Sequence, residues 1–132
     1  MHRKRLKKIL VVDDDPADRT LLRKILGKSY IVIEADGGEE AIDLACREEP
    51  DLVLLDIMMP GVDGYSACHR IKRDPRTAGI PVVMLTGLNN KLNMRLAEEL
   101  DANGYLNKSV SPQVLSDRIG QFLCSDKKNV PF

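Results

Sequence analysis

Acidic residues stand directly after two short apolar runs of the sequence, at residues 9–12 and 52–55. Asp15 precedes Pro16 and is explained as the cap of a helix, but no cap explains an acid at the end of the second run. Carboxylates that lie close together in the folded chain repel each other unless a cation compensates their charge. Mg²⁺ is a suitable cation, because it accepts one or two carboxylates together with waters and phosphate oxygens. The acids therefore predict a Mg²⁺ site formed by Asp13, Asp14 and Asp56.

Two further residues with suitable chemistry follow later apolar runs. Thr86 follows the run at residues 81–85, and Lys108 comes just after a weaker run at 104–106. A threonine hydroxyl donates a hydrogen bond to a phosphoryl oxygen, and a lysine ammonium pairs with its charge. A carboxylate beside Mg²⁺ and a lysine stays ionised and acts as a nucleophile toward phosphorus. The combination predicts aspartyl-phosphate chemistry at Asp56, although a lone threonine or lysine is more often an ordinary surface residue.

Short apolar runs alternate with helical patterns along the whole chain, and this alternation supplies the framework for the site. The runs, at residues 9–12, 30–33, 52–55, 81–85 and 104–106, have strand length. Strict alternation predicts an α/β fold of five βα units, with a parallel sheet and helices on both faces. Because such sheets bind ligands beyond the carboxyl ends of their strands, we expect the acids, the threonine and the lysine to meet at one edge.

Each helical segment carries apolar residues at a spacing of three or four positions. The first helix ends at Gly27, the second follows Gly37 and Gly38, the third spans residues 64–73, and the fifth begins at Pro112. The residues predicted to face the core are Leu21, Leu22, Ile25, Leu26, Ala41, Ile42, Ala45, Ala67, Cys68, Ile71, Leu92, Leu96, Ala97, Leu100, Leu115, Ile119, Phe122 and Leu123.

The composition indicates one globular domain with an acidic body. The chain has 132 residues with 20 basic and 20 acidic side chains, and a net charge of zero argues against a general nucleic-acid binder. Residues 1–8 hold five basic groups and no acid, which leaves 15 basic and 20 acidic groups on the other 124 residues. We predict a basic lead-in at residues 1–7, the domain at 8–124 and a tail at 125–132.

No segment indicates export or insertion into a membrane. The apolar run behind the basic start stops after four residues, whereas a signal peptide needs about seven to fifteen. No run approaches the roughly 18 apolar residues of a membrane span. Cys46, Cys68 and Cys124 are odd in number and form no CxxC pair, so we expect reduced thiols in a cytoplasmic protein.

Four motifs together resemble the CheY-like receiver domain of bacterial response regulators. They are VVDDDP at residues 11–16, LLDIMMPGVDG at 54–64, LTG at 85–87 and GYLNK at 104–108. The resemblance covers about residues 7–124, and the combination is highly specific although no single motif is decisive. It implies a flavodoxin-like fold with strand order 2-1-3-4-5.

The resemblance also implies a role for each acidic residue of the site. Asp56 would be the phosphoacceptor, taking a phosphoryl group from the phosphohistidine of a histidine kinase or from a small phosphodonor. Asp14, Asp56 and the backbone carbonyl of Met58 would bind Mg²⁺ directly. Asp13 would act on the ion through water.

The remaining implied roles concern the phosphoryl group and the response to it. Thr86 and Lys108 would contact the phosphoryl group, and Tyr105 would turn inward as Thr86 moves, although plain packing is an alternative for this tyrosine. The family usually has a proline with a cis peptide bond after the lysine, whereas Ser109 stands here. A cis bond before a residue other than proline costs about 2.5–4 kcal/mol. We therefore predict a trans or strained bond and a more mobile loop.

As a whole, the resemblance implies a phosphorylation-activated switch of a two-component phosphorelay, with no enzymatic activity beyond Mg²⁺-dependent self-phosphorylation and autodephosphorylation. The expected partners are a histidine kinase or phosphotransfer protein and a downstream target or fused output domain. The fourth helix, fifth strand and fifth helix would form the surface that changes and would support a phosphorylation-linked homodimer. We expect no direct contact with nucleic acid or membrane, and either a stand-alone receiver or one excised from a longer regulator.

Three other phosphate-handling folds fit the sequence less well. A haloacid-dehalogenase-like phosphatase needs a second aspartate two positions after its nucleophile, where Met58 stands. A flavodoxin-type FMN protein needs a phosphate-cradling loop after the first strand, where three aspartates would repel a phosphate. A P-loop nucleotide hydrolase is excluded, because neither GxxxxGKS nor GxxxxGKT occurs. Turnover of a phosphatase substrate, as against one-to-one labelling of Asp56, would separate an enzyme from a switch.

Overall fold

Five strands and five helices alternate along the part of the chain that the structure describes. This computed structural model describes residues 6–57, 59, 61–87 and 91–124, with residues 91–94 described by backbone alone, so most of the predicted lead-in and the whole predicted tail lie outside it. The strands are β1 (Lys8–Val12), β2 (Ile31–Ala35), β3 (Leu52–Asp56), β4 (Val82–Thr86) and β5 (Gly104–Asn107). The helices are α1 (Pro16–Leu26), α2 (Gly38–Glu48), α3 (Gly64–Arg73), α4 (Lys91–Glu99) and α5 (Pro112–Cys124). The predicted succession of five βα units is confirmed.

The strands form one parallel sheet in the order β2-β1-β3-β4-β5, which confirms the implied topology. The order reverses at β1, because β2 lies on one side of this strand and β3 on the other. Val12 lies opposite Leu55 of β3, and Asp56 lies opposite Leu85 of β4. The switch point, where such sheets bind ligands, therefore lies between the carboxyl ends of β1 and β3.

Helices cover both faces of the sheet, as predicted. Side chains alternate between the faces along a strand, and every residue of β3 and β4 is buried. One face packs against α1 and α5 through Leu22, Leu26, Leu115, Ile119 and Phe122. The other packs against α2 and α3 through Ala41, Ala45, Ala67, Cys68 and Ile71. Full burial of a leucine or isoleucine stabilises the fold by about 1.5–3 kcal/mol, so this double layer fixes the strand ends that carry the site.

Two helices begin at capped positions where the chain leaves the carboxyl edge of the sheet. At α1, Asp15 Oδ1 accepts a hydrogen bond from Ala17 N at 2.9 Å, and Pro16 occupies the first helical position. At α3, Asp63 Oδ1 accepts a hydrogen bond from Ser66 N at 2.8 Å. Such caps stabilise a helix by about 1 kcal/mol. The predicted capping role of Asp15 is confirmed.

The predicted helix faces are wrong at two leucines. Leu21 is 56% exposed and Leu96 is 36% exposed, although both were expected to face the core. Helix α1 buries two positions four residues apart, Leu22 and Leu26, and Leu21 lies to one side of this stripe. In α4 the neighbouring alanine is buried instead of Leu96. The side chain of Leu92, also predicted in the core, lies outside the described residues.

Strand β2 begins one residue later and ends two residues later than the predicted run. Tyr30 N donates a hydrogen bond to the carbonyl of Leu26 at 2.9 Å, so Tyr30 still belongs to the turn that ends α1. Glu34 and Ala35 continue the pairing with the end of β1. The polar Glu34 hid this extension in the sequence pattern.

None of the helices in the described residues combines the length and the apolar character that crossing a bilayer requires. The longest of them, α5, has 13 residues. The three cysteines are free thiols. Burial raises the pKa of Cys68 to about 12, so this thiol stays protonated at neutral pH.

Candidate functional site

The carboxyl ends of β1, β3, β4 and β5 surround an acidic recess of about 390 Å³. Its lining consists of Asp13, Asp14, Asp15, Asp18, Asp56, Thr86, Gly87 and Lys108. The structure thus brings together all the predicted site residues except Tyr105, which lies elsewhere, and Met58, which lies outside the described residues. The carbonyl of Met58 as a Mg²⁺ ligand stays a prediction. Residues far apart in sequence meet here because the parallel strands all end at this edge.

Three carboxylates in the recess are close enough to bind one cation. One oxygen each from Asp13, Asp14 and Asp56 lies within 4.8 Å of the other two. Asp13 is 1% exposed and Asp56 is 5% exposed, whereas Asp14 is exposed. Negative charges at this spacing, two of them withdrawn from water, are costly unless a cation compensates. The donor atoms are all carboxylate oxygens, which suit a hard ion, so these residues fit Mg²⁺.

The backbone around Asp13 fixes the first of these carboxylates. Asp13 N donates to the carbonyl of Ala35 at 3.1 Å, which continues the pairing of β1 with β2. Asp13 Oδ1 accepts a hydrogen bond from Asp15 N at 2.9 Å, and the carbonyl of Asp13 accepts one from Arg19 Nη1 at 2.7 Å. Neighbouring protein groups therefore orient this carboxylate, as a preorganised site requires.

Among the described residues that line the recess, Lys108 carries the one positive charge. Its Nζ lies 2.8 Å from Asp13 Oδ2, 2.8 Å from Asp18 Oδ2 and 3.6 Å from Asp56 Oδ1. Partial burial on its own would lower the pKa of Lys108. The close carboxylates of Asp13 and Asp18 and the charge of Asp56 outweigh burial and raise the pKa above its ordinary value. The ammonium is therefore charged at neutral pH.

The turn after β5 closes without the proline that the family usually has. The Lys108–Ser109 bond is trans, since the described residues contain no cis peptide bond, and trans is one of the two geometries predicted. Ser109 N donates to Asn107 Oδ1 at 2.8 Å, and Val110 N donates to the carbonyl of Asn107 at 3.1 Å. Lys108 N donates to the carbonyl of Thr86 at 2.7 Å. These bonds fix the main chain of the lysine, and the mobility of the loop stays a prediction.

Asp18 is the residue of the recess that sequence reasoning missed. It lies in the first turn of α1, where acids are common because they interact favourably with the helix dipole. Its residue type therefore gave no sign of a second role. The available signal was its place three residues after Asp15, on a helix that begins at the edge of the recess.

The loop after Asp56 returns closely onto the end of β3. Gly64 N donates to the carbonyl of Ile57 at 3.0 Å. A Cβ at Gly64 would overlap the carbonyl oxygen of Asp56 and lie 2.6 Å from Ile57 Cα. Gly61 has a φ of +76°, a conformation that favours glycine. Gly64 therefore lets the backbone pass close to the end of β3, and Gly61 allows the left-handed turn that precedes it.

Thr86 and Tyr105 are diagonal neighbours in adjacent strands. Tyr105 lies opposite Met84, two residues before Thr86, so the alternation of side chains puts both on the same face of the sheet. Tyr105 is 7% exposed and belongs to the core cluster under α2 and α3, and burial raises the pKa of its phenol. This inward position is compatible with both roles considered for Tyr105, plain core packing and a conformational switch. The movement of Tyr105 stays a prediction.

An apolar recess of about 110 Å³ lies beside the acidic one, between α1 and the start of α5. Its apolar lining consists of Leu21, Leu22, Ile25, Leu85, Val110, Pro112 and Leu115. Asp18 and Lys108 line both recesses. The ion pair between them therefore lies where the two recesses adjoin.

The response regulator receiver domain family matches residues 9–120 of the chain. The chain is 41% identical over 114 residues to the probable transcriptional regulator ycf27 of Guillardia theta, covering 86% of this chain and 44% of that protein. It is 40% identical over 118 residues to the alkaline phosphatase synthesis transcriptional regulatory protein PhoP of Bacillus subtilis, covering 89% and 48%. The chain thus spans about half the length of these curated relatives.

Solved structures with the same fold include a putative response regulator from Chloroflexus aurantiacus. It superposes with a TM-score of 0.86 at 34% identity, covering 92% of this chain and 100% of that chain. The BeF3-activated N-terminal receiver domain of Klebsiella pneumoniae RstA gives a TM-score of 0.81 at 38% identity, covering 89% and 99%. Vibrio cholerae chemotaxis protein CheY4 gives 0.84 at 24% identity, covering 89% and 98%, and is a likeness of fold alone.

Proposed function

Because this chain belongs to the response regulator receiver domain family, we propose that it is a phosphorylation-activated switch with Asp56 as its phosphoacceptor. One observation carries the proposal: Asp56 is nearly buried, its carboxylate lies within 4.8 Å of those of Asp13 and Asp14, and Lys108 Nζ lies 3.6 Å from its Oδ1. A lysine and a bound cation favour the ionised carboxylate, which is the nucleophilic form.

In the proposed reaction, a carboxylate oxygen of Asp56 attacks the phosphorus atom of the donor. The P–N bond of a phosphohistidine, or the P–O bond of acetyl phosphate, breaks as the new P–O bond forms, and its electron pair leaves with the donor. Phosphoryl transfer depends mainly on positioning and on stabilisation of charge. Lys108 supplies positive charge to the transferred group, and the Thr86 hydroxyl donates a hydrogen bond to one of its oxygens.

Asp14, Asp56 and the backbone carbonyl of Met58 would hold Mg²⁺ directly, and Asp13 would act on it through water. When bound, the ion neutralises negative charge on the carboxylates and on the phosphoryl oxygens. The excess of carboxylates over ammonium groups in the recess supports this assignment.

Phosphorylation would replace a carboxylate with a group that carries about −2 charge and new acceptor oxygens. Thr86 would move toward these oxygens, and Tyr105, its diagonal neighbour on the same face, would occupy the space that Thr86 leaves. Two alternative packings of these side chains make a two-state element that phosphorylation biases. The surface formed by α4, β5 and α5 would change as a result.

This α4-β5-α5 surface is our proposed contact for a downstream target, a fused output domain or a second copy of the chain. Its exposed residues Arg95, Glu98, Glu99 and Asp117 carry charges of both signs, which favour specific pairing over general adhesion. The greater length of the relatives described as transcriptional regulators supports a fused output domain. The upstream partner would be a histidine kinase or phosphotransfer protein, and the acidic body of the chain favours no direct nucleic-acid contact by this domain.

Incubation with Mg²⁺ and acetyl phosphate, followed by intact-mass spectrometry, tests the proposal. We expect one phosphoryl group per chain in the wild type, and none in Asp56→Asn or in the presence of a chelator. Asp63→Asn is the matched control, because it removes another acid from the same loop while asparagine still caps α3; it should be labelled like the wild type.

Two outcomes would contradict the proposed switch. A folded wild-type chain that neither accepts phosphate from acetyl phosphate nor binds beryllofluoride has no working phosphoacceptor. Multiple turnover of a phosphatase substrate would favour an enzyme, because we propose at most self-phosphorylation and autodephosphorylation for this domain.

A further inference from the structure

We propose that Asp18 is a positioning residue that holds Lys108 on the α1 side of the recess in the unphosphorylated protein. In this position Asp18 competes with a phosphoryl group on Asp56 for the lysine ammonium. Removing the Asp18 carboxylate should therefore favour the phosphorylated form. The proposal rests on the proposed role of Asp56 and extends it, because it assigns control over the balance between the two forms to a residue outside the metal cluster.

The distances around Lys108 locate its ammonium group. Nζ donates a charge-assisted hydrogen bond to Asp18 Oδ2 at 2.8 Å, and it forms an ion pair with Asp13 Oδ2 at 2.8 Å. Asp56 Oδ1 is 3.6 Å away, too far for a hydrogen bond. The ammonium is therefore drawn toward Asp13 and Asp18 and away from the carboxylate that is to be phosphorylated.

Asp13 and Asp18 differ in their other contacts. Asp13 belongs to the three-carboxylate cluster, and its second oxygen accepts a hydrogen bond from Asp15 N at 2.9 Å. Asp18 is not part of that cluster. Within the described residues, the one hydrogen-bond and ion-pair partner of the Asp18 carboxylate is the Lys108 ammonium. Asp18 is thus the acceptor dedicated to the lysine.

A phosphoryl group on Asp56 changes this balance of charge. It carries about −2 charge and three acceptor oxygens, so it attracts Lys108 more strongly than the present carboxylate does. To reach it, Nζ has to lengthen or give up its hydrogen bond to Asp18, and the Asp18 carboxylate then repels the new dianion. Both effects disfavour the phosphorylated form, and a neutral asparagine at position 18 would weaken the hydrogen bond and remove the repulsion.

Beryllofluoride, a non-covalent analogue of the phosphoryl group, is the probe for this competition. An NMR titration of Mg²⁺-saturated protein measures its affinity in the wild type, Asp18→Asn and Asp15→Asn. We expect Asp18→Asn to bind about fivefold more tightly, the size of effect typical of an ion pair whose acid is 38% exposed. An unchanged or weaker affinity in Asp18→Asn overturns the proposal.

Asp15→Asn controls for the general loss of negative charge. It removes an acid from the same recess, but asparagine keeps the cap of α1, and Lys108 is not among the partners of Asp15 in the described residues. We expect its affinity to change by less than about twofold, because solvent screens an exposed charge. A gain equal to that of Asp18→Asn would mean that charge alone is responsible and would overturn the role of Asp18.

A double-mutant cycle with Lys108→Met tests whether Asp18 acts through the lysine. In Mg²⁺-free buffer we expect Asp18→Asn to lower the midpoint temperature of unfolding in the wild-type background and to leave it unchanged in Lys108→Met, where the ion pair is already lost. An equal loss in both backgrounds would show that Asp18 acts on the dipole of α1 and not on Lys108, which overturns the proposal.

These measurements separate the failure of this inference from the failure of the proposed function. Binding of beryllofluoride to the wild type without a gain in Asp18→Asn refutes the role of Asp18 alone. Absence of binding in the wild type and in every variant refutes the phosphoacceptor role of Asp56 and, with it, the competition proposed here.

Discussion

The amino and carboxyl ends of the parallel strands compensate their partly buried charges in different ways. At the amino ends of β4 and β5, Lys72 Nζ donates to the carbonyl of Ile80 at 3.0 Å and to Asn103 Oδ1 at 3.0 Å. The same oxygen accepts a hydrogen bond from Val82 N at 2.9 Å. Asn103 is 3% exposed. These bonds direct the lysine to neutral acceptors that the fold holds in fixed positions.

At the carboxyl end, negative charge exceeds positive charge. Asp13, Asp14, Asp18 and Asp56 line the recess together with Lys108, which is the one cation among the described residues of that lining. The lysine is within 4 Å of three of these acids, and it cannot neutralise them all. The surplus negative charge would attract a divalent cation, and in the proposed function the bound cation would in turn attract a phosphoryl group.

The difference distinguishes a polar cluster that serves the fold from one that serves a ligand. In the cluster of Lys72 and Asn103 each polar group has its hydrogen-bond partner. Removing one member destabilises the fold, because a buried partner is left without its hydrogen bond. The three-carboxylate cluster carries surplus negative charge and is already under electrostatic repulsion, so loss of Asp14 from it relieves the fold and weakens cation binding. Variants of Asn103 and of Asp14 should therefore have opposite effects on the free energy of unfolding in Mg²⁺-free buffer.

The largest effect on stability is expected from Asn103→Ala at the amino end. The substitution removes the acceptor for Val82 N and for Lys72 Nζ, and a buried donor without a partner costs about 1–3 kcal/mol. We expect the free energy of unfolding, measured by urea titration, to fall by about 2–3 kcal/mol. The increase in stability that Mg²⁺ produces should stay the same, because this cluster lies at the opposite end from the recess.

Asn103→Asp is the matched control for this variant. It keeps an acceptor oxygen for both donors and adds a charge opposite Lys72, so its loss of stability should be smaller than that of the alanine variant. An equal loss in both variants, or a change in the Mg²⁺ effect, would break the distinction between the two ends.

At the carboxyl end, the corresponding measurement is the stabilisation of the fold by Mg²⁺. At a free Mg²⁺ concentration 100 times the dissociation constant, the free energy of unfolding of the wild type should rise by about 2.7 kcal/mol. Asp14→Asn should lose most of this increase. In Mg²⁺-free buffer the same variant should be at least as stable as the wild type, because it removes one of three like charges within 4.8 Å.

Asp15→Asn serves as the control for the Mg²⁺ measurement. Asp15 lines the recess but is not a member of the three-carboxylate cluster, so its variant should keep a Mg²⁺ effect close to that of the wild type. If Asp14→Asn keeps the whole Mg²⁺ effect, the three carboxylates are not the metal site, and their surplus negative charge does not serve to bind Mg²⁺.

The meeting of Asp13, Asp56, Thr86 and Lys108 could be predicted from the sequence, because the carboxyl ends of parallel strands share one edge. Alternation alone predicted the parallel sheet, but it does not fix the order of its strands. That order came from the resemblance, since five similar apolar runs do not specify their neighbours. The structure confirms both the sheet and the order.

Other features of the site and the fold could not be predicted, because in the sequence these residues have an ordinary explanation or no pattern that connects them. Asp18 is an ordinary acid of a first helical turn until the distance to Lys108 is known. Leu21 has the spacing of a core residue but lies beside the buried stripe of α1. Lys72 and Asn103 are polar residues 31 positions apart, and no local pattern connects them.

The smallest effect concerns Asp74, which follows the end of α3 and so lies toward the amino end of the sheet. The side chain of Arg76 donates hydrogen bonds to its carboxylate, with Nη2 at 2.6 Å from Oδ2, and Arg76 N donates to Oδ1 at 2.8 Å. These bonds lower the pKa of Asp74 to about 2. A lowered pKa means that Asp74 adds stability above its unfolded pKa of about 3.9, and this contribution is lost as the pH falls toward 2. The contribution is small because the pair is exposed.

An NMR titration of the Asp74 carboxyl group, with and without Mg²⁺, checks this prediction. In the wild type the midpoint should lie near 2, and Arg76→Ala should raise it toward the ordinary value, although the backbone hydrogen bond keeps part of the shift. Mg²⁺ should leave the midpoint unchanged, because the charges of Asp74 and Arg76 already balance and the acidic recess lies at the other end of the sheet. A midpoint that moves with Mg²⁺ would show that charge at the carboxyl end of the sheet changes the pKa of Asp74 at the amino end. The two ends would then form one electrostatic system.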